Sequence, residues 1–164
     1  MLWLRSAILV TLAILLVLPF SHAQELVLDT EDRKIYSIEG EFDFYREMLE
    51  SAITDEGMVI NAVGRIAEML DRTGTDLGLG ERVYLNGESL EFCSALLSRR
   101  MMEADPHSIV FCPYVIAIYE RVEQPGTIFI GYQRVPIVGD EATREALRDV
   151  DTLLDRVVNN AMAF

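Results

Sequence analysis

Histidine is scarce in this chain, with two in 164 residues, and only His107 lies beyond the N-terminal apolar segment. That excludes a multi-histidine metal centre, and it leaves one imidazole for any serine triad of the usual kind. Cysteine is equally sparse: Cys93 and Cys112, with no C-x-x-C spacing. Motifs of the form G-x-S-x-G, H-E-x-x-H and G-x-G-x-x-G are missing too. Positive charge is low, with 14 Lys and Arg against 27 Asp and Glu, for a net charge of −13. Such a surface repels phosphate backbones and anionic headgroups, so nucleic acid and the membrane surface are excluded as partners. Beyond the first twenty residues no apolar run approaches the ~20 residues that a membrane-spanning helix needs. Repeats, low-complexity tracts and linkers are also lacking, so a single domain is expected.

What the chain does have begins at its N-terminus. Arg5 precedes an unbroken apolar run, Ala7 to Leu18, which ends at Pro19. Ser21-His22-Ala23 then places small residues at the two positions a signal peptidase reads, and a polar chain follows. Residues 1–23 are therefore expected to be a signal peptide cleaved after Ala23, in preference to an anchor running from Met1 to Phe20. The expected location is periplasmic or secreted. No cysteine follows the apolar run, so no lipid-modified terminus is expected.

The rest reads as a flexible lead-in, residues 24–33, and one α+β domain, residues 34–164. Lys34–Ile38 is a short strand. Phe42, Tyr45, Leu49, Ala52 and Ile53 recur at helical spacing up to Gly57. A strand over Met58–Val63 and one or two helical turns at Ile66–Leu70 lead into a glycine-rich stretch, Thr73–Gly80. Asp76 and the absence of G-K-[ST] make that stretch a loop rather than a phosphate cradle. Arg82–Leu85 reads as a strand closed by an Asn86-Gly87 turn. A helix from Ser89 to Ala104 follows, with Cys93, Leu96, Leu97 and Met101 on its apolar stripe. Ile109–Tyr119 reads as a strand buried on both faces, and Pro125-Gly126 turns it back into a strand over Thr127–Gln133. Asp140 caps a last helix with Leu147, Val150, Leu154, Val157 and Ala161 on one face. The order implies a mostly antiparallel sheet of about five strands with helices on one face.

The cysteines are the chemistry best placed by this outline. Cys93 lies about 15 Å before the helix end at ~1.5 Å per residue, and Cys112 about 13 Å into the returning strand at ~3.3 Å per residue. The thiols are thus expected at nearly the same height. In an oxidising compartment they suit a structural Cys93–Cys112 disulfide; two inert core thiols and a redox or metal-binding pair are the competing readings. For the last, Met101 and His107 lie near in sequence, and thiolate, thioether and imidazole together suit copper(I) or haem iron. Met101 at helical spacing is also an ordinary core residue, and His107 in a turn an ordinary surface one. Glu91 and Glu120 are the acids nearest to burial, and Arg100 of the Arg99-Arg100 pair is expected to snorkel or to pair with an acid.

Over Glu91-Phe92-Cys93-Ser94-Ala95, Asp105-Pro106 and Phe111-Cys112-Pro113-Tyr114-Val115-Ile116-Ala117-Ile118-Tyr119-Glu120, the chain resembles the bacterial "domain of unknown function 302" family. The resemblance runs from about Lys34 to Gly139. It implies a compact α+β domain, like the curved sheet of the TATA-binding-protein class but without DNA binding. It carries no catalytic residue, and this chain resembles an exported two-cysteine variant. The sequence thus leads to an exported, non-enzymatic domain that binds a small ligand or a protein partner between sheet and helices, needs no cofactor, and is braced by the disulfide. The alternative is a periplasmic redox, copper or haem-handling protein using Cys93 and Cys112, linked to sulfur metabolism.

Overall fold

Residues 23–164 are described by the structure, a computed structural model; apart from Ala23, the expected signal peptide lies outside them. In chain order the elements are β1 (Glu25–Asp29), β2 (Arg33–Glu39), α1 (Phe42–Asp55), β3 (Val59–Arg65), α2 (Ile66–Leu77), β4 (Tyr84–Cys93), α3 (Ala95–Ala104), a 3-10 turn (Pro106–Phe111), β5 (Tyr114–Arg121), β6 (Thr127–Gln133) and α4 (Glu141–Ala161). The strands form one antiparallel sheet in the order β1-β2-β6-β5-β4-β3. The α+β class and the helix-covered antiparallel sheet expected from the sequence are both present, with six strands among the described residues.

Period-two alternation decides which face of the sheet is covered. Tyr36 and Ile38 of β2, Leu90 and Phe92 of β4, Ile116 and Ile118 of β5, and Ile128 and Ile130 of β6 all point into one core. Each such side chain, fully buried, contributes about 1.5–3 kcal/mol of transfer free energy. The helices close this core. Tyr45, Leu49, Ala52 and Ile53 form the buried stripe of α1, and Leu147, Val150, Leu154, Val157 and Ala161 that of α4. Asp140 starts α4 as expected: its carboxylate accepts from the Thr143 amide at 2.9 Å. Helix α4 packs on α1, α3 and β6. The middle of the space between sheet and helices is therefore filled by side chains.

Four expectations are corrected. Part of the expected lead-in, Glu25–Asp29, is an edge strand paired with β2. The strand broken at Asn86-Gly87 instead runs on to Cys93, because Glu88, Leu90 and Phe92 alternate toward the core and pair with Ile118, Ile116 and Tyr114. Helix α3 begins only after Ser94, whose side-chain oxygen accepts from the Leu97 amide at 3.3 Å. Its buried positions are Ser98 and Met101, while Leu96 is exposed. The strand expected from Ile109 starts at Tyr114, after a 3-10 turn capped by the Asp105 carboxylate. Strand β5 is buried on one face only: Val115 is exposed, and Ala117 and Tyr119 are half-buried on the other.

Helix α2 departs from the one-face arrangement. It runs through much of the glycine-rich stretch and ends at Gly78, whose φ of 64° makes the left-handed helix cap. Ala67 lies against Gly87 and Tyr119, on the side of the sheet away from the core; a Cβ added at Gly87 would meet Ala67 Cβ at 3.5 Å and Tyr119 Cβ at 3.7 Å.

Candidate functional site

The end of β4 and the start of β5 bring the two thiols together. Phe92 pairs with Tyr114, so Cys93 leaves β4 where Cys112 and Pro113 lead into β5. The neighbourhood expected from the sequence is thus present, but strand pairing produces it, not a helix docked on a strand. Both cysteines are half-buried free thiols, and their sulfurs are not at bonding distance. Ser98, on the first turns of α3, places its hydroxyl 3.3 Å from Cys112 Sγ and 3.0 Å from the Tyr114 hydroxyl. Cys93 lies beside Cys112 and Ser98, close enough for both to bear on its titration. Burial, then the neighbouring Cys112, pushes the Cys93 thiol up from its ordinary value. Burial likewise pushes Tyr114 up to about 12. These are groups held protonated at neutral pH, the opposite of an activated thiolate.

The other two candidate ligands stand apart in character. Met101 is fully buried in the core, and His107 is exposed at the start of the 3-10 turn, where its amide donates to the Asp105 carboxylate. Among the described residues, no group of three or more His, Cys, Asp or Glu is placed to hold a metal. Glu91 is half-buried on β4. Glu120 accepts from the Asn86 amide group at 2.7 Å and from the Gly126 backbone N–H at 2.8 Å. Arg100 pairs with Asp149 at 2.8 Å, tying α3 to α4.

The sheet face away from the core, which α2 covers only at its β4 end, carries a groove of about 370 Å³, lined by Arg33, Ile35, Val115, Ala117, Tyr119 and Gly131 among others. Its floor follows from register. Ile35 pairs with Gly131, Gly131 with Ala117, Ala117 with Ser89, and Ser89 with Gly64, so one row across five strands consists mostly of the smallest side chains. The next row supplies a wall: Tyr119 stacks on Phe129 with ring centroids 5.1 Å apart and planes 12° apart, and Tyr84 meets Tyr119 edge-on at 5.5 Å. A larger cavity, about 830 Å³, lies beside the glycine-rich stretch. Its arginine, Arg82, is already paired with Asp71 at 2.8 Å, and the loop expected over Thr73–Gly80 is helical as far as Leu77.

Comparison with known proteins bears on identity. The family described as "Domain of unknown function DUF302" matches residues 35–161. The chain belongs to this family. A solved structure titled as an uncharacterized conserved DUF302 protein from Bacillus stearothermophilus superimposes with a TM-score of 0.66 at 20% identity, covering 79% of this chain and 97% of that one. At that identity the likeness concerns the fold. Among curated proteins no relative matches.

Sequence reasoning missed one polar cluster of this DUF302 domain. Asp155 accepts from Lys34 Nζ at 2.7 Å, from the Tyr36 hydroxyl at 2.7 Å and from the Tyr132 hydroxyl at 3.3 Å. Arg134 pairs with both Asp151 and Asp29, joining α4 to β1. Burial alone would raise Asp155, but the hydrogen bonds from Lys34, Tyr36 and Tyr132 hold it below the usual carboxylate range. Asp151 goes the other way: burial outweighs Arg134, and the charge on Asp155 adds to the rise. Asp151 and Asp155 were legible as an i, i+4 pair on one helix face, but two partners of Asp155, Lys34 and Tyr36, come from a strand more than a hundred residues upstream.

Proposed function

We propose that this DUF302 domain is an exported binding module that holds a flat, largely apolar small molecule on the face of its sheet away from the core, beside α2. The Gly131–Ala117 pair carries the reading, because these two small residues lie side by side in the groove next to Tyr119, which stacks on Phe129. A pocket with an aromatic wall, an apolar floor and a polar end at Asp32, Arg33 and Gln133 suits small-molecule binding by burial of apolar area. Its volume suits a small ligand better than a protein surface. Export is supported by Arg5, the apolar run to Leu18 and Ser21-His22-Ala23.

The chain has a single tryptophan, Trp3, inside the segment to be removed. A naphthalene sulfonate dye therefore reports without tryptophan interference when titrated into protein purified from the periplasm. Its fluorescence is expected to rise saturably, and Ala117→Phe, which fills the floor, is expected to weaken the dye at least tenfold with an unchanged melting temperature. Leu96→Ala, on the exposed side of α3, is the control. Equal dye affinity in Ala117→Phe and wild type would refute the groove. Mass spectrometry of the same sample is expected to show Gln24 as first residue, and a periplasmic chain that keeps Met1 would refute cleavage.

A further inference from the structure

We infer that Cys93 and Cys112 form a two-sulfur site for a soft, low-coordinate metal ion, copper(I) in the first instance, with Ser98 and Tyr114 as its supporting shell. The spacing of the sulfurs is the first argument. They flank the paired residues Phe92 and Tyr114 at the same end of β4 and β5, yet are not at bonding distance. A disulfide needs sulfurs about 2.05 Å apart. An ion with metal–sulfur bonds of about 2.3 Å bridges sulfurs up to about 4.6 Å apart.

The second argument is the ligand count. No third His, Cys, Asp or Glu joins the pair among the described residues, Met101 is spent in the core, and His107 is exposed. Zinc completes a tetrahedral set of four and is poorly served by two ligands. A monovalent ion that prefers thiolates accepts a two-sulfur set.

The third argument is the pair of buried hydroxyls. Ser98 and Tyr114 are 9% and 3% exposed, and they hydrogen-bond to each other at 3.0 Å. When the Tyr114 O–H donates to Ser98 Oγ, the Ser98 proton is left to point at sulfur, 3.3 Å from Cys112. Thiolates accept only, so metal binding fixes that direction through the whole chain of hydroxyls, as supporting hydrogen bonds do at other metal sites. Two thiols and one copper(I) ion give a dithiolate complex of charge −1, and two protons leave to water. No oxidation is involved.

The test is an anaerobic titration of protein purified from the periplasm and fully reduced, in competition with a chromophoric copper(I) chelator. One copper(I) ion per chain is expected, with no zinc(II) uptake under the same conditions. Cys93→Ser and Cys112→Ser are each expected to weaken copper(I) at least a hundredfold, and Ser98→Ala about tenfold. Circular dichroism melts establish that the variants are folded. Should a serine variant unfold, alkylation of the wild type decides: two thiols protected by one copper(I) support the site, and two thiols that react alike with and without copper(I) overturn it. Copper(I) affinity unchanged in folded Cys→Ser variants overturns it as well. So does a Cys93–Cys112 bond that survives reductant.

Discussion

Single side chains in this domain owe their chemistry to neighbours distant in sequence. Cys93 titrates high because it is buried beside Cys112. Alkylation of the folded protein with iodoacetamide should therefore be slower at pH 7.5 than that of a free thiol, and should keep accelerating above the usual thiol range; a Cys93 rate equal to a model peptide's would sink this. Asp155 holds two tyrosine hydroxyls and Lys34 at once. Asp155→Ala leaves these donors facing a partly buried gap, at a cost of about 2–3 kcal/mol by urea denaturation. His107 and Met101 show the limit of residue-type reasoning: an imidazole or thioether near a thiol in sequence says nothing about whether it points to solvent or into a core.

Elements were legible where one periodicity was strong and unopposed. Helices α1 and α4 and strand β6 fall where their apolar spacing placed them, and each of the α4 stripe residues is buried. Strand β4 was misread for a physical reason. Asn86-Gly87 looks like a turn, yet the strand absorbs it beside an irregularity between Tyr84 and Asn86, and Gly87 is small because Ala67 and Tyr119 crowd it. Gly131 shows the same close approach more sharply. A Cβ there would lie 2.7 Å from the Lys34 carbonyl oxygen and 2.8 Å from Ile35 Cγ1, and the carbonyl belongs to a paired strand that has little room to yield. Gly131→Ala is expected to cost about 1–3 kcal/mol as overpacking. A melting temperature equal to wild type would show that β2 and β6 part more easily than the ladder between them suggests. Strand β1 escaped notice because an edge strand exposes its side chains: Leu26 and Val27 are half-exposed and leave no buried stripe to detect.

At the scale of the whole molecule, charge sets the response to pH. The depressed carboxylates Asp155 and Glu56 contribute stability that is present above their unfolded range and lost as pH falls through their lower folded range. Asp151, raised by burial, acts in the opposite sense and partly offsets them. The melting temperature is expected to fall between about pH 5 and pH 2, and Asp155→Asn to flatten part of that fall; identical profiles would remove Asp155 from the account. Composition and periodicity determined the broad frame, one acidic α+β domain, and among the described residues no helix is long and apolar enough to cross a membrane. Those conclusions follow from sums and periodicities, which are properties of the chain itself. Tertiary structure decided which face of the sheet carries the groove, that Gly131 and Ala117 lie side by side in it, that Asp155 meets Lys34 and Tyr36, and that Cys93 and Cys112 meet across a strand pair with Ser98 and Tyr114 behind them. Register and strand order create those neighbourhoods, and a shift of one residue would turn each of these side chains to the opposite face.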